Sequence, residues 1–339
     1  MQARGTSSIL CFRLSSLGDV VLSTSAAAAL HARGQQSDWV TLDAYAGLLE
    51  GHPAIGRVWV FSKKDGLVGW IRFVTRIARE NSYEEILDLH GSLRTRIARF
   101  IFFLLWKTSS PRWRRFPKER WRSWGFYTFK SIWPRGCRPR SQRERYSRVA
   151  GGDGSDRPDL SHLLRGWHPA EREGICVMPS AKGVGKTWAA DRWVALLSDP
   201  ALVGSRVTVL GTPQDRESFE LLKRLKGAGV SIEMRDALGV SRFVDLARII
   251  AECRVIYSVD TGLAHLAESL GVPSIILYGP THPDQGFGPW GVGSRAVATS
   301  LWCSPCGRDG RYCFRLANRF ECQRRISVKA VLDAGNART

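Results

Sequence analysis

The stretch SAKGVGKTW, Ser180–Trp188, poses a choice between an NTPase loop and another way of holding a diphosphate. It follows a short apolar run, Ile175–Met178, and precedes WAADRWVALL, which has helical spacing. Strand, glycine-rich loop with Lys-Thr, then helix is a setting in which proteins hold phosphate. The start of a helix offers unpaired N–H groups and partial positive charge. The full P-loop pattern is G-x-x-x-x-G-K-[ST], and its first glycine falls here on Ser180. A side chain strains the turn that glycine permits there, and Trp188 is bulky beside a loop wrapped on phosphate. A strand ending in Asp260, VIYSVD, supplies a partial Walker B. On this stretch alone, an NTPase and a plain glycine turn with a solvated lysine both stay open.

Working outward, strand-length apolar runs alternate with helix-length segments, as in parallel βαβ units. Before the stretch come SILCFRL, then the Ala-rich helix VVLSTSAAAALHARG, and the strands DWVTLDA and RVWVFS. The helical WIRFVTRIARE, the strand EEILDLHG and the helical LRTRIARFIFFLLW follow. After it come RVTVLG, DRESFELLKRLKGAG, SRFVDLARIIAEC with Ser241 as N-cap, RVIYSVD, TGLAHLAESLG and PSIILYGP. Residues 107–170 lose the pattern and are rich in Arg, Trp, Pro and Gly. The expected organisation is two doubly wound α/β domains, 1–170 (with 107–170 an irregular basic segment and linker) and 171–339 with a Cys-rich tail. Ligands in such sheets bind beyond the C-terminal ends of strands, so a cleft between the domains is the expected reaction site.

The 339 residues carry a net charge of +19. The charge is uneven: residues 1–170 hold 28 Lys/Arg against 14 Asp/Glu, and Lys107–Arg148 alone holds 14 against 2. Such a field favours polyanions: nucleic acid, an anionic membrane face or a phosphorylated glycolipid. The start, MQARGTSSILCF, lacks the apolar stretch of a signal peptide. The run IARFIFFLLW is about half a membrane span. The expected compartment is the cytoplasm, where cysteines stay reduced unless they hold metal.

Two other strand ends speak to phosphate. RLSSLGDVVLST places Asp19 at the junction of the first strand and its helix, where a carboxylate also simply suits the helix dipole. SVDTGLAHLAESLGVPSIILYGPTHP places Asp260, Thr261 and Gly262 at a strand end opening a helix, with His265 one turn on. The plain alternative is a capped helix with a core histidine. These segments resemble the lipopolysaccharide heptosyltransferases, glycosyltransferase family 9. ILDLHGSLRTRIARF resembles the family's Asp-x-x-Gly-x-x-Arg segment, KTWAADRWVALL its Lys-x-Trp-helix element, and CSPCGRDGRYCFRLANRFECQRRISVKAV the tail of many members. The resemblance covers nearly the whole chain outside about 107–170.

The resemblance implies the GT-B fold, two Rossmann-like domains facing a cleft, and an inverting single displacement. The donor it implies is ADP-heptose, bound by the C-terminal domain. The acceptor is a lipid A/Kdo-type or inner-core glycolipid, met by the N-terminal domain. It makes Asp19 the base that takes the acceptor proton. Lys186 and the Thr261/Gly262 helix start stabilise the leaving diphosphate. Ser180, Asp260 and His265 match positions near the nucleotide, and Asp215 an acidic ribose ligand. Arg94 and the Lys63/Lys64 pair, with Lys64 the candidate, would meet an anionic acceptor, or are solvated charge. No Asp-x-Asp occurs, so no metal-bridged diphosphate site is expected and no cofactor is required.

Cys303, Cys306, Cys313 and Cys322 follow C-x2-C-x6-C-x8-C. A structural zinc ion, reduced buried thiols and disulfides are the alternatives. The basic segment interleaves Arg/Lys with Trp, Phe and Tyr, which suits nucleic acid or the interface of an anionic membrane. The membrane reading is favoured, giving a peripheral protein on the inner face of the inner membrane and no nucleic-acid partner. The helix near FIFFLLW is either core or interfacial anchor, with core leading. Readings kept beside the heptosyltransferase are a P-loop-like NTPase, a nucleic-acid-binding protein, and a family member using another sugar nucleotide.

Overall fold

The computed structural model describes residues 8–105, 111–169, 171–212, 215–227, 233–307 and 309–337. Trp106, which ends the run IARFIFFLLW, lies outside them. The chain divides into two compact units: Met1–Lys118 with Gln142–Leu163, and Glu119–Ser141 with Leu164–Thr339.

The first unit holds β1 (Ile9–Phe12), α1 (Leu17–His31), β2 (Ser37–Leu42), α2 (Ala46–Leu49), β3 (Ile55–Phe61), α3 (Gly66–Glu80), β4 (Glu85–Asp88), α4 (Leu93–Leu105) and β5 (Arg112–Arg115). Its sheet is parallel in the order β3-β2-β1-β4-β5. β1 is apolar throughout because it is central and covered on both faces. α3 and α4 pack together, and Trp70, Val74, Ile77, Ala98 and Phe102 form a core with Phe12, Trp59 and Phe61. α1 is buried along nearly its whole length, which explains its run of Ala and Ser. Small side chains let another helix approach closely. That helix is α6 (Gln142–Val149), the piece of chain that returns to this unit after α5.

α5 (Arg120–Phe129) and the turns after it pack within the second unit. Arg138 pairs with Asp284, the Lys130 ammonium donates to the Pro305 carbonyl, and the ring of Phe126 meets that of His282 edge-on. The basic stretch is therefore not one linker. It contributes an edge strand and a helix to one unit and a helix to the other, each too short and too polar to show a period.

The second unit continues with β6 (Gly174–Met178), α7 (Ala190–Leu197), β7 (Arg206–Gly211), α8 (Arg216–Gly227), β8 (Glu233–Leu238), α9 (Phe243–Ala251), β9 (Cys253–Val259), α10 (Gly262–Ser269), β10 (Ser274–Tyr278), β11 (Arg295–Ala298), α11 (Glu321–Arg324) and α12 (Val328–Asn336). Its sheet is parallel in the order β11-β10-β9-β6-β7-β8. Helix α9 is capped by Arg242 rather than Ser241. Both sheets are doubly wound, and each has one point where strand order reverses: between β1 and β4 in the first, between β6 and β9 in the second. Crevices at such points are where open α/β sheets take ligands.

Candidate active site

The strand ends at the two reversal points carry the residues singled out above. In the first unit, Ser16 is the N-cap of α1 and Asp19 its third residue, so the two side chains cap the helix reciprocally. Asp19 does more than cap. Its Oδ2 accepts from the Arg13 guanidinium at 2.7 Å and from Ser16 Oγ at 3.0 Å, and its Oδ1 accepts from the Tyr146 hydroxyl at 3.2 Å. Arg13 is itself buried, with its other arm donating to the Leu89 carbonyl at 2.6 Å. Asp19 thus sits beside a fixed cation, with Oδ1 the less engaged oxygen. Burial, more than the Asp19 carboxylate beside it, pushes the Tyr146 phenol up, so Tyr146 stays a proton donor.

His90 follows β4 on the loop Asp88–Ser92, whose turn is held by Asp88 Oδ1 accepting from the backbone N–H of His90 at 3.1 Å and Gly91 at 2.7 Å. Burial pushes His90 down to about 4, and the cations Arg13, Lys118 and Arg94 act in the same direction. It is therefore neutral at physiological pH. Arg94 is half-buried, its guanidinium 5.8 Å from the Phe61 ring centre. Lys64 lies exposed in the turn Lys63–Asp65 before α3.

In the second unit, Lys186 ends a short turn, Val184–Lys186, after β6. Its ammonium contacts Asp260 Oδ2 at 2.7 Å and the Asp260 carbonyl at 3.4 Å. Asp260 directly follows β9, and Thr261 is the N-cap of α10, whose first residue is Gly262. One cation and the start of one helix therefore share a mouth at the reversal point. Asp260 holds the lysine in place and, as the two stand, offsets much of its charge. The Lys186 carbonyl is fixed in turn by the Gln323 side-chain amide at 2.7 Å.

Ser180 and Asp215 also meet: Ser180 Oγ donates to Asp215 Oδ2 at 2.6 Å, and the Thr212 N–H donates to the same oxygen at 2.7 Å. His265 stands apart from the mouth. It is buried, 3.2 Å from Glu268, whose other oxygen accepts from the N–H groups of Trp290 and Gly291 at 2.7 and 2.8 Å. In this geometry His265 braces α10 and the loop after β10 from within.

The glycines of SAKGVGKTW have a different use from a phosphate wrap. The Gly185 N–H donates to the Gly310 carbonyl at 2.9 Å. A Cβ on Gly185 would lie 2.6 Å from that oxygen and inside the Phe320 ring, and one on Gly183 would strike the Asp309 carbonyl. The tail crosses directly over this loop, and only glycine leaves room. Moreover α7 begins at Ala190, past Lys186 and Thr187. In a P-loop the Gly-Lys-Thr triplet itself opens the helix, so the NTPase alternative loses its geometric basis.

The tail cysteines share one neighbourhood. Burial raises the thiols of Cys306 and Cys322, to about 11 for Cys322, and Cys303 and Cys313 add to both shifts. Yet among the described residues no three His, Cys, Asp or Glu side chains are placed to hold a metal ion, so the four sulfurs do not form a zinc site as arranged. All eight cysteines are free, which also sets the disulfide alternative aside.

Arg13, Tyr146 and His90 did not enter the sequence reading as site residues. Arg13 and His90 lay inside the quoted motifs, and a charged residue ending a wholly apolar strand was a signal for the first. Tyr146 carried none: it reaches Asp19 across 127 residues, through the packing of α6 on α1.

The model of glycosyltransferase family 9 (heptosyltransferase) matches residues 140–312, just over half of the chain. Lipopolysaccharide heptosyltransferase 1 of Pseudomonas aeruginosa is 27% identical over 324 residues, covering 88% of this chain and 85% of that protein. Among solved structures, a family 9 glycosyltransferase from Veillonella parvula superposes with a TM-score of 0.71 at 19% identity, covering 98% and 96% of the two chains. Escherichia coli heptosyltransferase WaaC with ADP does so at 0.68 and 19%, covering 98% and 99%. The fold is that of the GT-B heptosyltransferases. No described helix is long and apolar enough to cross a membrane. With its residues at both reversal points and more than half its length matched, the chain belongs to glycosyltransferase family 9, the heptosyltransferases, and is a glycosyltransferase.

Proposed function

We propose that this enzyme transfers heptose from ADP-heptose to an inner-core lipopolysaccharide acceptor with inversion, working at the inner face of an anionic membrane. The domain assignment in this reading gives the donor to the second unit and the acceptor to the first. The observation that carries it is the Lys186–Asp260 pair at the start of α10, at the reversal point of the second sheet. Lys186 supplies a point charge and α10 supplies aligned N–H groups from Thr261 and Gly262, so charge developing on the leaving diphosphate is met by fixed dipoles. Ser180 and Asp215 are the candidates for the nucleoside end, and Asp215 for a ribose hydroxyl. His265 supports the site by bracing α10.

In the displacement Asp19 takes the proton of the acceptor hydroxyl while the bond from the anomeric carbon to the diphosphate oxygen breaks. A carboxylate suits a proton that leaves late, once the hydroxyl oxygen already bonds to an electron-poor carbon, and Arg13 and Tyr146 hold this one in place. Arg94 and Lys64 would meet acceptor phosphates. The step needs no cofactor, and nothing in it is routed through the tail cysteines.

The test is release of ADP from ADP-heptose in the presence of a soluble, delipidated inner-core acceptor. A thermal-shift series over ADP-, UDP- and GDP-sugars accompanies it. Stabilisation by the ADP-sugar above the others, with acceptor-dependent turnover, is expected. Equal stabilisation by all three, or by none, would overturn the donor assignment.

A further inference from the structure

The first unit leaves an apolar face uncovered. α3 and α4 pack side by side, with the Trp70 indole N–H donating to the Arg94 carbonyl at 2.9 Å, so their first turns adjoin. Their inner sides form the core. Their outer sides carry Leu67 and Val68 on α3 and Leu93, Phe100, Phe103 and Leu104 on α4, each between 54% and 70% exposed. On α4 these residues fall at 93, 100, 103 and 104, one stripe of the helix, with Arg96 between Leu93 and Phe100 inside it and Arg99 at its edge. On the α3 side Lys63, Lys64, Arg72 and Arg79 are exposed, and the exposed carboxylates of these two helices and the turn before α3 are Asp65 and Glu80 alone among the described residues. Apolar residues with cations among and beside them, and few acids, are the pattern of a helix lying in a bilayer interface, where a long Arg side chain reaches the headgroups from within the apolar face.

We propose that the outer face of α3 and α4 is the surface by which this enzyme sits on an anionic phospholipid bilayer, with Phe100, Phe103 and Leu104 entering the acyl boundary and Arg96 and Arg99 meeting headgroup phosphates. Charge decides the occupant. A second copy would set cations against cations, whereas an anionic bilayer complements them. The exposed apolar residues are Leu, Val and Phe without Trp or Tyr, which favours lipid over stacking on nucleic-acid bases. The helix named as either core or anchor has a face for each: Ile101 and Phe102 face the core while Phe100, Phe103 and Leu104 face outward. This inference deepens the proposed membrane-side function and rests on it for its biological sense only.

The experiment is flotation with vesicles of phosphatidylethanolamine and phosphatidylglycerol, against phosphatidylcholine alone. The intact protein is compared with F100S/F103S and with R96E/R99E. The wild-type chain is expected to float with the anionic vesicles and not with the neutral ones, and each variant to lose about tenfold or more in partitioning. Both variants are expected to keep the wild-type thermal midpoint and turnover on the soluble acceptor. Wild-type protein that ignores anionic vesicles, or variants that partition like it, overturn the proposal, as does a wild-type dimer on size exclusion that F100S/F103S dissolves. Turnover on the soluble acceptor reads the catalytic function separately, so failure of one leaves the other standing.

Discussion

Replacing His90 by glutamine probes the surroundings of Asp19 through proton linkage. His90 has its ordinary value of 6.5 in the unfolded chain and about 4 in the fold, because burial and the cations Arg13, Lys118 and Arg94 disfavour its charged form. The folded value is the lower one, so the unfolded state binds the extra proton. Stability is full above about 6.5 and is lost as pH falls from there towards 4. Integrating the linkage relation with these two values gives a loss of about 2 kcal/mol between pH 7 and pH 5 from this residue alone. Glutamine keeps a polar, neutral side chain and does not titrate. The assay is urea unfolding followed by circular dichroism at pH 7, 6 and 5 for both proteins. Charge repulsion among the many basic groups affects both alike and cancels in the difference. The wild-type protein is expected to lose about 2 kcal/mol more than H90Q across that range. Parallel pH dependences would refute the assignment of a neutral, desolvated His90 beside Asp19.

Three further outcomes follow from the geometry. Asp19→Asn should lower turnover by about 10²- to 10⁴-fold with ADP-heptose binding by calorimetry unchanged, and wild-type turnover in that variant would dismiss Asp19 as the base. Lys186→Met should abolish measurable turnover and lower stability by about 3 kcal/mol, since it strands the largely buried Asp260 carboxylate; K186M/D260N should regain most of the stability and none of the activity. Gly185→Ala should cost about 2 kcal/mol or more in thermal unfolding, because its Cβ meets the Gly310 carbonyl and the Phe320 ring, and an unchanged midpoint would mean that the tail does not cross the loop as described.

How far the sequence reached is clearest strand by strand. The central strands β1, β2, β4, β6, β7, β9 and β10 were legible because each is covered on both faces and reads as a nearly continuous apolar run. β5, β8 and β11 were not, and all three are sheet edges; the fourth edge, β3, was legible because RVWVFS is itself mostly apolar. An edge strand pairs on one side only and can afford side chains such as those of RWRR, which carry no strand period. The same logic hid the path of residues 107–170. Arginines that look like a charged linker are anchors, Arg138 to Asp284 and Arg145 to the Pro117 carbonyl, and a chain whose contacts are long-range and polar leaves no local pattern.

The sequence by itself determined the strand-loop-helix order and, with it, the loops that carry Asp19, Ser180, Lys186 and Asp260, because the period of apolar burial is local. It also supplied the excess of cations. Only the tertiary structure decided which groups face one another. It put Arg13 and Tyr146 on Asp19, and Asp260 on Lys186. It turned His265 inward to Glu268 and left Phe100, Phe103 and Leu104 facing outward. It also gave the glycines of SAKGVGKTW to the tail that crosses them. Those pairings depend on backbone approach between segments far apart in the chain, and no spacing within a segment encodes that.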